Sequence, residues 1–295
     1  MSQSELETRP APAEPVGADE LQTRSRPAGG TSRSIAAIDV HGHYGRYIRN
    51  GPGSLCDSLS SADAAEVVRR ARNASIALTI VSPLSALLPR LHGDAVAGNV
   101  EAASIVSQTP GLRQYVVIDP RRPETYAQAD RMLAQPQCAG IKIHPEEHGY
   151  PIREHGTAIF EFAAQHRAVI LTHSSEQNSQ AADFIPWADA FPEVRLILAH
   201  IGCGWDGDLT HQVRAIQQSR KGNVFADTSS ARSIVPGLIE WAVREVGPER
   251  VLFGTDTPLY DTAMQRARID QAELSDDEKR LILRDNAVRL FGLPV

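Results

Sequence analysis

Eight short runs rich in Val and Ile, at 35–43, 76–82, 114–119, 140–144, 169–174, 195–201, 224–229 and 251–256, are separated by stretches with helical periodicity. Several runs are apolar on both faces. That texture belongs to parallel strands covered by helices rather than to a half-wet antiparallel sheet. The helical stretches fall at 63–72, 94–107, 126–133, 156–166, 181–191, 209–219, 234–246 and 275–292. Asp63 with Glu66, and Ser275 with Glu278, have the spacing of capping boxes, and Gly292 suits the left-handed position after the last helix. Eightfold strand–helix alternation over about 260 residues predicts a (β/α)8, or TIM, barrel better than an open sheet.

Composition narrows the setting. The chain has 295 residues, is 42% hydrophobic and carries a net charge of −6, enough apolar surface for a large core. Acidic balance and the lack of a long Lys/Arg run argue against a nucleic-acid partner. No apolar stretch reaches the ~18 residues of a membrane span, and the N-terminus lacks a signal-peptide core. Three scattered cysteines, Cys56, Cys138 and Cys203, make neither a disulfide framework nor a zinc knuckle, and they fit a reducing, cytoplasmic setting. Residues 1–33 have almost no large apolar side chains and are expected to form a disordered tail. Residues 34–295 are expected to form one barrel domain that binds a small molecule, and a homo-oligomer is compatible with the sequence.

Four of the runs end on metal-type ligands. They are Ile38-Asp39-Val40-His41-Gly42-His43, Val169-Ile170-Leu171-Thr172-His173, Leu196-Ile197-Leu198-Ala199-His200 and Val251-Leu252-Phe253-Gly254-Thr255-Asp256. Strand side chains alternate faces, so His41 and His43 point the same way. In a parallel barrel the strand C-termini hold the catalytic groups, which brings His41, His43, His173, His200 and Asp256 to one rim. His92, His148, His155, His166 and His211 sit away from strand ends and read as structural or surface histidines. A mixed set of imidazoles and a carboxylate suits a divalent ion, with Zn²⁺ expected and Mn²⁺ or another first-row ion tolerated. Such an ion lowers the pKa of a water it holds from ~15.7 to about 7, and a nearby histidine can move the remaining proton. A buried Asp256 without a cation would cost several kcal/mol, which a metal removes.

These segments resemble the amidohydrolase superfamily, in particular the amidohydrolase-related group that includes aminocarboxymuconate semialdehyde decarboxylase. The likeness also rests on Gly-Ile-Lys-Ile-His-Pro at 140–145, Leu-Thr-His-Ser at 171–174, Leu-Ala-His-Ile-Gly at 198–202, Phe-Gly-Thr-Asp-Thr-Pro at 253–258 and the closing 285–293. The resemblance implies that His41, His43, His173 and Asp256 bind one ion. His200 would act beside it as acid/base, and Asp256 would help shuttle the proton. In binuclear members a carbamylated fourth-strand lysine bridges two ions, and His173 and His200 would then hold the second. The mononuclear group lacks that bridge, so one ion is expected.

Lys142 and His144, on one face of the fourth strand, are then expected to contact substrate; the plain alternative is that Lys142 neutralises Asp39. Tyr44, Arg46, Arg49, Arg121, Arg122, Trp205 and Arg232 follow strand ends. Of these, Arg46 and Trp205 are the expected substrate contacts, since an arginine fork suits a carboxylate; a solvated rim is the bland alternative for each. Cys203 has no dedicated base and is not expected to act as a nucleophile. The expected activity is metal-dependent hydrolysis of a small amide, ester or lactone. The alternatives are metal-dependent, non-oxidative decarboxylation of an aromatic or muconate-like acid, and a barrel that binds ligand without turnover.

Overall fold

The computed structural model describes residues 34–89, 92–230 and 234–294. The expected tail at 1–33 and the rim candidate Arg232 lie outside the described residues. Eight strands follow in order: β1 Ala37–Tyr44, β2 Ile76–Pro83, β3 Leu112–Val117, β4 Cys138–Ile143, β5 Val169–Thr172, β6 Arg195–Leu198, β7 Val224–Asp227 and β8 Val251–Leu252. Each pairs in parallel with the next. β8 is far shorter than its apolar run, because the chain after Leu252 leaves the β7 ladder for β1. Val40 N–H donates to Phe253 O at 2.9 Å, His43 N–H to Thr257 O at 2.6 Å, and Asp256 N–H to His41 O at 2.7 Å. These bonds close the ring, and the fold is a (β/α)8 barrel.

Ala64–Asn73 begins at Asp63, whose side chain accepts from Glu66 N–H. The expected capping box is only half formed there, since the Glu66 carboxylate turns to Arg69 and Arg70 at 2.6 and 2.8 Å. At Ser275 the box is complete. The stretch 181–191 splits into a 3-10 turn, Ala181–Phe184, and a helix, Ile185–Ala190, which has a proline in its first turn. The last stretch carries a π turn at Leu281–Asp285 between Asp276–Arg280 and Asn286–Phe291, and ends at left-handed Gly292. No helix among the described residues is long and apolar enough to cross a membrane.

The barrel interior is packed rather than hollow. Ile38, Val40, Ile80, Tyr115, Leu171, Ile197 and Leu252 share one apolar cluster with Ala287, Leu290 and Leu293 from the C-terminal segment. Phe291 meets Tyr115 edge-on at 6.1 Å. Leu290 also lies beside Arg195 and Phe225, at the starts of β6 and β7. The terminal helix thus plugs the end where strands begin, leaving the other end for polar groups.

Between Asp39 and Gly42 the pairing of β1 with β2 shifts register. The shift depends on Gly42 lacking a side chain, because a Cβ there would lie 2.5 Å from Thr79 Cγ2 and 3.2 Å from Thr257 Cγ2. Overpacking of this kind costs ~1–3 kcal/mol. Gly42→Ala should therefore lower Tm by several degrees, at about 2–4 °C per kcal/mol for a domain of this size. Adding Thr79→Ser, which removes the offending methyl, should recover most of the loss. Calorimetry of the single and double variants checks this, and no recovery in the double variant would count against the contact.

Candidate metal centre

β1 carries His41 and His43 to the polar end of the barrel, and both are buried. His43 Nδ1 lies 2.9 Å from the Ser82 carbonyl oxygen. A carbonyl only accepts, so Nδ1 carries a hydrogen and Nε2 is the nitrogen turned to the site. That Nε2 is 3.0 Å from Asp256 Oδ1. His41 is set the same way: Nδ1 donates to Asp227 Oδ2 at 2.9 Å, and its Nε2 stands 3.6 Å from Asp256 Oδ1. Two imidazoles, each oriented by an acceptor behind it, turn Nε2 toward one carboxylate, an arrangement that a cation among them would satisfy. This is how metal-binding histidines are usually held.

Asp256 and His200 reach the site through left-handed backbone, φ 55 and 73. Such values are uncommon for residues with side chains and cluster at functional sites. Among the described residues two groups of three bring ligand atoms within 4.8 Å of one another: His41, His43 and Asp256, and His41, His200 and Asp227. The donor set fits a divalent ion. His173 is in neither group. It shares the cavity, stacks on His144 at 4.2 Å and meets His200 edge-on at 5.1 Å. Its buried Nε2 makes no hydrogen bond, although the Glu176 carboxylate lies 3.3 Å away.

Burial pushes His41, His144 and His200 well below the ordinary histidine range, and neighbouring basic groups push further. The neutral state that results is the one a metal ligand needs. Lys142 is 1% exposed, and burial lowers its ammonium to about 8 against the pull of Asp256 and Asp227. Its Nζ is 2.9 Å from His41 Nε2. His144 accepts the Glu147 N–H on Nδ1 at 3.3 Å, which caps the short helix Pro145–His148. Burial raises the Asp39 carboxyl to about 7, against bonds from Thr255 and the His41 N–H that lower it.

These groups line a cavity of about 480 Å³ whose other wall is Leu84, Leu87, Leu88 and Leu259 with Tyr47 and Tyr260. Lys142 and His144 face it as expected. Arg46 and Trp205 do not. After Gly45, which is pinned to Ala62 by a β-bridge, Arg46 is exposed and outside the lining. Trp205 is 65% exposed, with only its backbone N–H tied to Ser175 O. Arg49 is the arginine that reaches the cavity, paired with Glu147 at 2.7 Å. Sequence reasoning also misses Asp227 and Ser229. The signal was available, since Val224-Phe225-Ala226-Asp227 ends an apolar run on a ligand-type residue like the other four.

The amidohydrolase family model matches residues 38–293. The chain belongs to the amidohydrolase family. No curated protein sequence matches it significantly. Among solved structures it is similar to 5-carboxyvanillate decarboxylase from Sphingomonas paucimobilis, at 15% identity and TM-score 0.68, covering 88% of this chain and 99% of that one. It is also similar to a 2,6-dihydroxybenzoate decarboxylase complexed with 2,6-dihydroxybenzoate, at 13% identity, TM-score 0.68 and coverage of 87% and 98%. A dihydroxybenzoic acid decarboxylase from Polaromonas sp. JS666 with bound manganese and 2-nitroresorcinol gives 14% identity, TM-score 0.66 and coverage of 87% and 96%. At these identities the likeness concerns the fold.

Asp227 orients His41 from behind, so its removal should be felt in metal affinity. Asp227→Asn keeps the shape but turns an amide toward donors that need an acceptor. Its affinity for Zn²⁺ should fall ~10–100-fold, as is usual when a ligand's supporting partner is lost. Competition with a chelating dye measures this; unchanged affinity in a folded variant would show that Asp227 does not orient the donor set.

Proposed function

We propose that this amidohydrolase-family barrel is a metal-dependent, non-oxidative decarboxylase of a small aromatic or similarly flat unsaturated acid bearing a hydroxyl. The observation that carries this reading is the division of the cavity: a histidine and aspartate donor set with Lys142 on one side, a leucine and tyrosine wall on the other. A flat apolar ring with an acidic edge fits both walls. The decarboxylase activities of the structural neighbours support the same choice over hydrolysis.

In this reading His41, His43 and Asp256 hold the ion, with His173 contributing from β5. Zn²⁺ or Mn²⁺ suits the mixed nitrogen and oxygen donors. Bound there, the ion supplies positive charge that orients the acid and its hydroxyl and stabilises the charge that builds on the ring. Arg49, at the mouth, offers its remaining donors to an anionic group of the substrate. Leu84, Leu87 and Leu88 hold the ring and exclude water from it. His200 delivers a proton to the ring carbon, the bond to the carboxyl carbon breaks, its electron pair stays with the ring and CO2 leaves. The net reaction takes one proton from solvent.

Hydrolysis of an amide, ester or lactone is the second reading, favoured by the same His200, which can serve as general base toward water. Metal-loaded protein assayed against hydroxylated benzoic acids and against a panel of lactones and amides separates the two. CO2 release, abolished by a chelator and restored by Zn²⁺ or Mn²⁺, is the expected result, and carbonyl cleavage without CO2 would overturn it. Metal analysis should give about one ion per chain, independent of bicarbonate, since the donor set is complete without a carbamate. Changing His41 and His43 together to Ala should remove the ion and leave the barrel folded. Two ions per chain, falling in Lys142→Ala, would instead place a bridging lysine at the site.

A further inference from the structure

Ser229 lies two residues beyond β7, fully buried and behind the cavity rather than in its lining. One hydroxyl there meets three groups. Its Oγ is 2.7 Å from His200 Nδ1, 3.0 Å from His41 Nδ1, and in hydrogen-bond contact with Asp227 Oδ1. A hydroxyl has a single proton to give. The Asp227 carboxylate accepts from the backbone N–H groups of His200 and Ser229, both at 3.0 Å, and from His41 Nδ1 at 2.9 Å. It is the acceptor in every one of these contacts, so the Ser229 proton points to it.

The direction of the remaining bonds follows. With its proton committed, Ser229 Oγ can only accept from an imidazole. The His200 nitrogen at 2.7 Å must then be the one that carries hydrogen, Nδ1–H. A neutral ring has one N–H, so Nε2 is left as a lone pair. We infer that Ser229 is a positioning residue: it holds His200 as the Nδ1–H tautomer, with the Nε2 lone pair available to take and return a proton. The chain of donation runs from His200 through the Ser229 hydroxyl to Asp227.

The surroundings leave Ser229 little freedom. Its N–H is tied to Asp227 Oδ1 at 3.0 Å, and its carbonyl accepts from Gln265 Nε2 at 3.1 Å. A Cβ built on Gly254 would come within 3.1 Å of the Ser229 Cβ, the His41 Cβ and the Asp227 Cγ, so Gly254 already packs against all three. Asp227 reaches His41 directly, whereas it reaches the His200 ring through Ser229. Removing the hydroxyl therefore cuts the tie to the His200 ring and leaves the His41 bond in place.

The tautomer follows from the hydrogen-bond geometry of a neutral, buried ring; its use in proton transfer rests on the function proposed above. Long-range proton–nitrogen correlation spectra of full-length protein labelled with ¹⁵N-histidine report the tautomer of each ring, and a His200→Gln variant identifies the His200 signals. Wild-type His200 should be Nδ1–H, and Ser229→Ala should shift it toward Nε2–H while zinc stoichiometry stays the same. In the decarboxylation assay Ser229→Ala should lower kcat by ~10²-fold, the low end of what a positioned acid/base contributes, with KM changed by no more than about twofold. An Nε2–H tautomer in the wild type, or an Nδ1–H tautomer kept in Ser229→Ala, would overturn the inference. A shifted tautomer with kcat unchanged would uphold the positioning and overturn the acid/base role given to His200.

Discussion

The Asp227 carboxylate is buried at the end of β7 and touched by four donors: His41 Nδ1, the His200 N–H, and the Ser229 N–H and hydroxyl. A buried carboxylate without partners would cost several kcal/mol. Hydrogen bonds to a charged group contribute ~1.5–3 kcal/mol each, and they lose far more when one side is removed than when both are. The carboxylate is thus stable only while β1, β6 and β7 keep their relative positions. Conversely, His41 and the backbone of His200 take their direction from it. One side chain that never reaches the cavity therefore sets the geometry of groups on three strands.

The seam between β8 and β1 makes the same linkage by another route. The His41 carbonyl accepts from Asp256 N–H at 2.7 Å, so one residue supplies a ring nitrogen to the donor set and a rung to the ring closure. Beneath it, Asp39 binds Thr255 through N–H at 3.0 Å and hydroxyl at 2.6 Å. These bonds bring the Asp256 carboxylate opposite the His43 ring. Barrel closure and the centre therefore share residues and bonds, and damage to the seam should register in both.

Much of this was legible before any coordinates. Parallel strands buried on both faces leave continuous Val and Ile runs, and the ligands that end four of them mark strand ends of a barrel. His41 and His43 meet Asp256 at one rim: strand direction sets the two histidines, whereas Asp256 reaches them from beyond β8 through left-handed backbone. Loop residues obey no such rule. Arg46 and Arg49 are three positions apart and equally suited to an anion, yet the Gly45–Ala62 bridge leaves only Arg49 at the cavity. The leucine wall draws Leu84, Leu87 and Leu88 from beyond the end of β2, in a stretch that carries no chemical signal of its own. Ser229 is invisible for a different reason: its meaning lies in which way a single proton points, which depends on three partners remote in sequence.

Lys142 brings these constraints together. His41 Nδ1 gives its hydrogen to Asp227, so Nε2 has one lone pair, and the Lys142 ammonium stands on it at 2.9 Å. A lone pair serves one partner. Lysine and a divalent ion are therefore alternatives at His41 Nε2, and the lysine must find another acceptor once the ion is there. The Asp256 and Asp227 carboxylates are close enough to raise its proton affinity, but Asp227 already has four donors and Asp256 would be a ligand. Glu147 and Glu176 also line the cavity, and an incoming anion would be a further acceptor. In the decarboxylase reading proposed above, a lysine displaced from His41 would be a second positive charge for the carboxylate of a substrate.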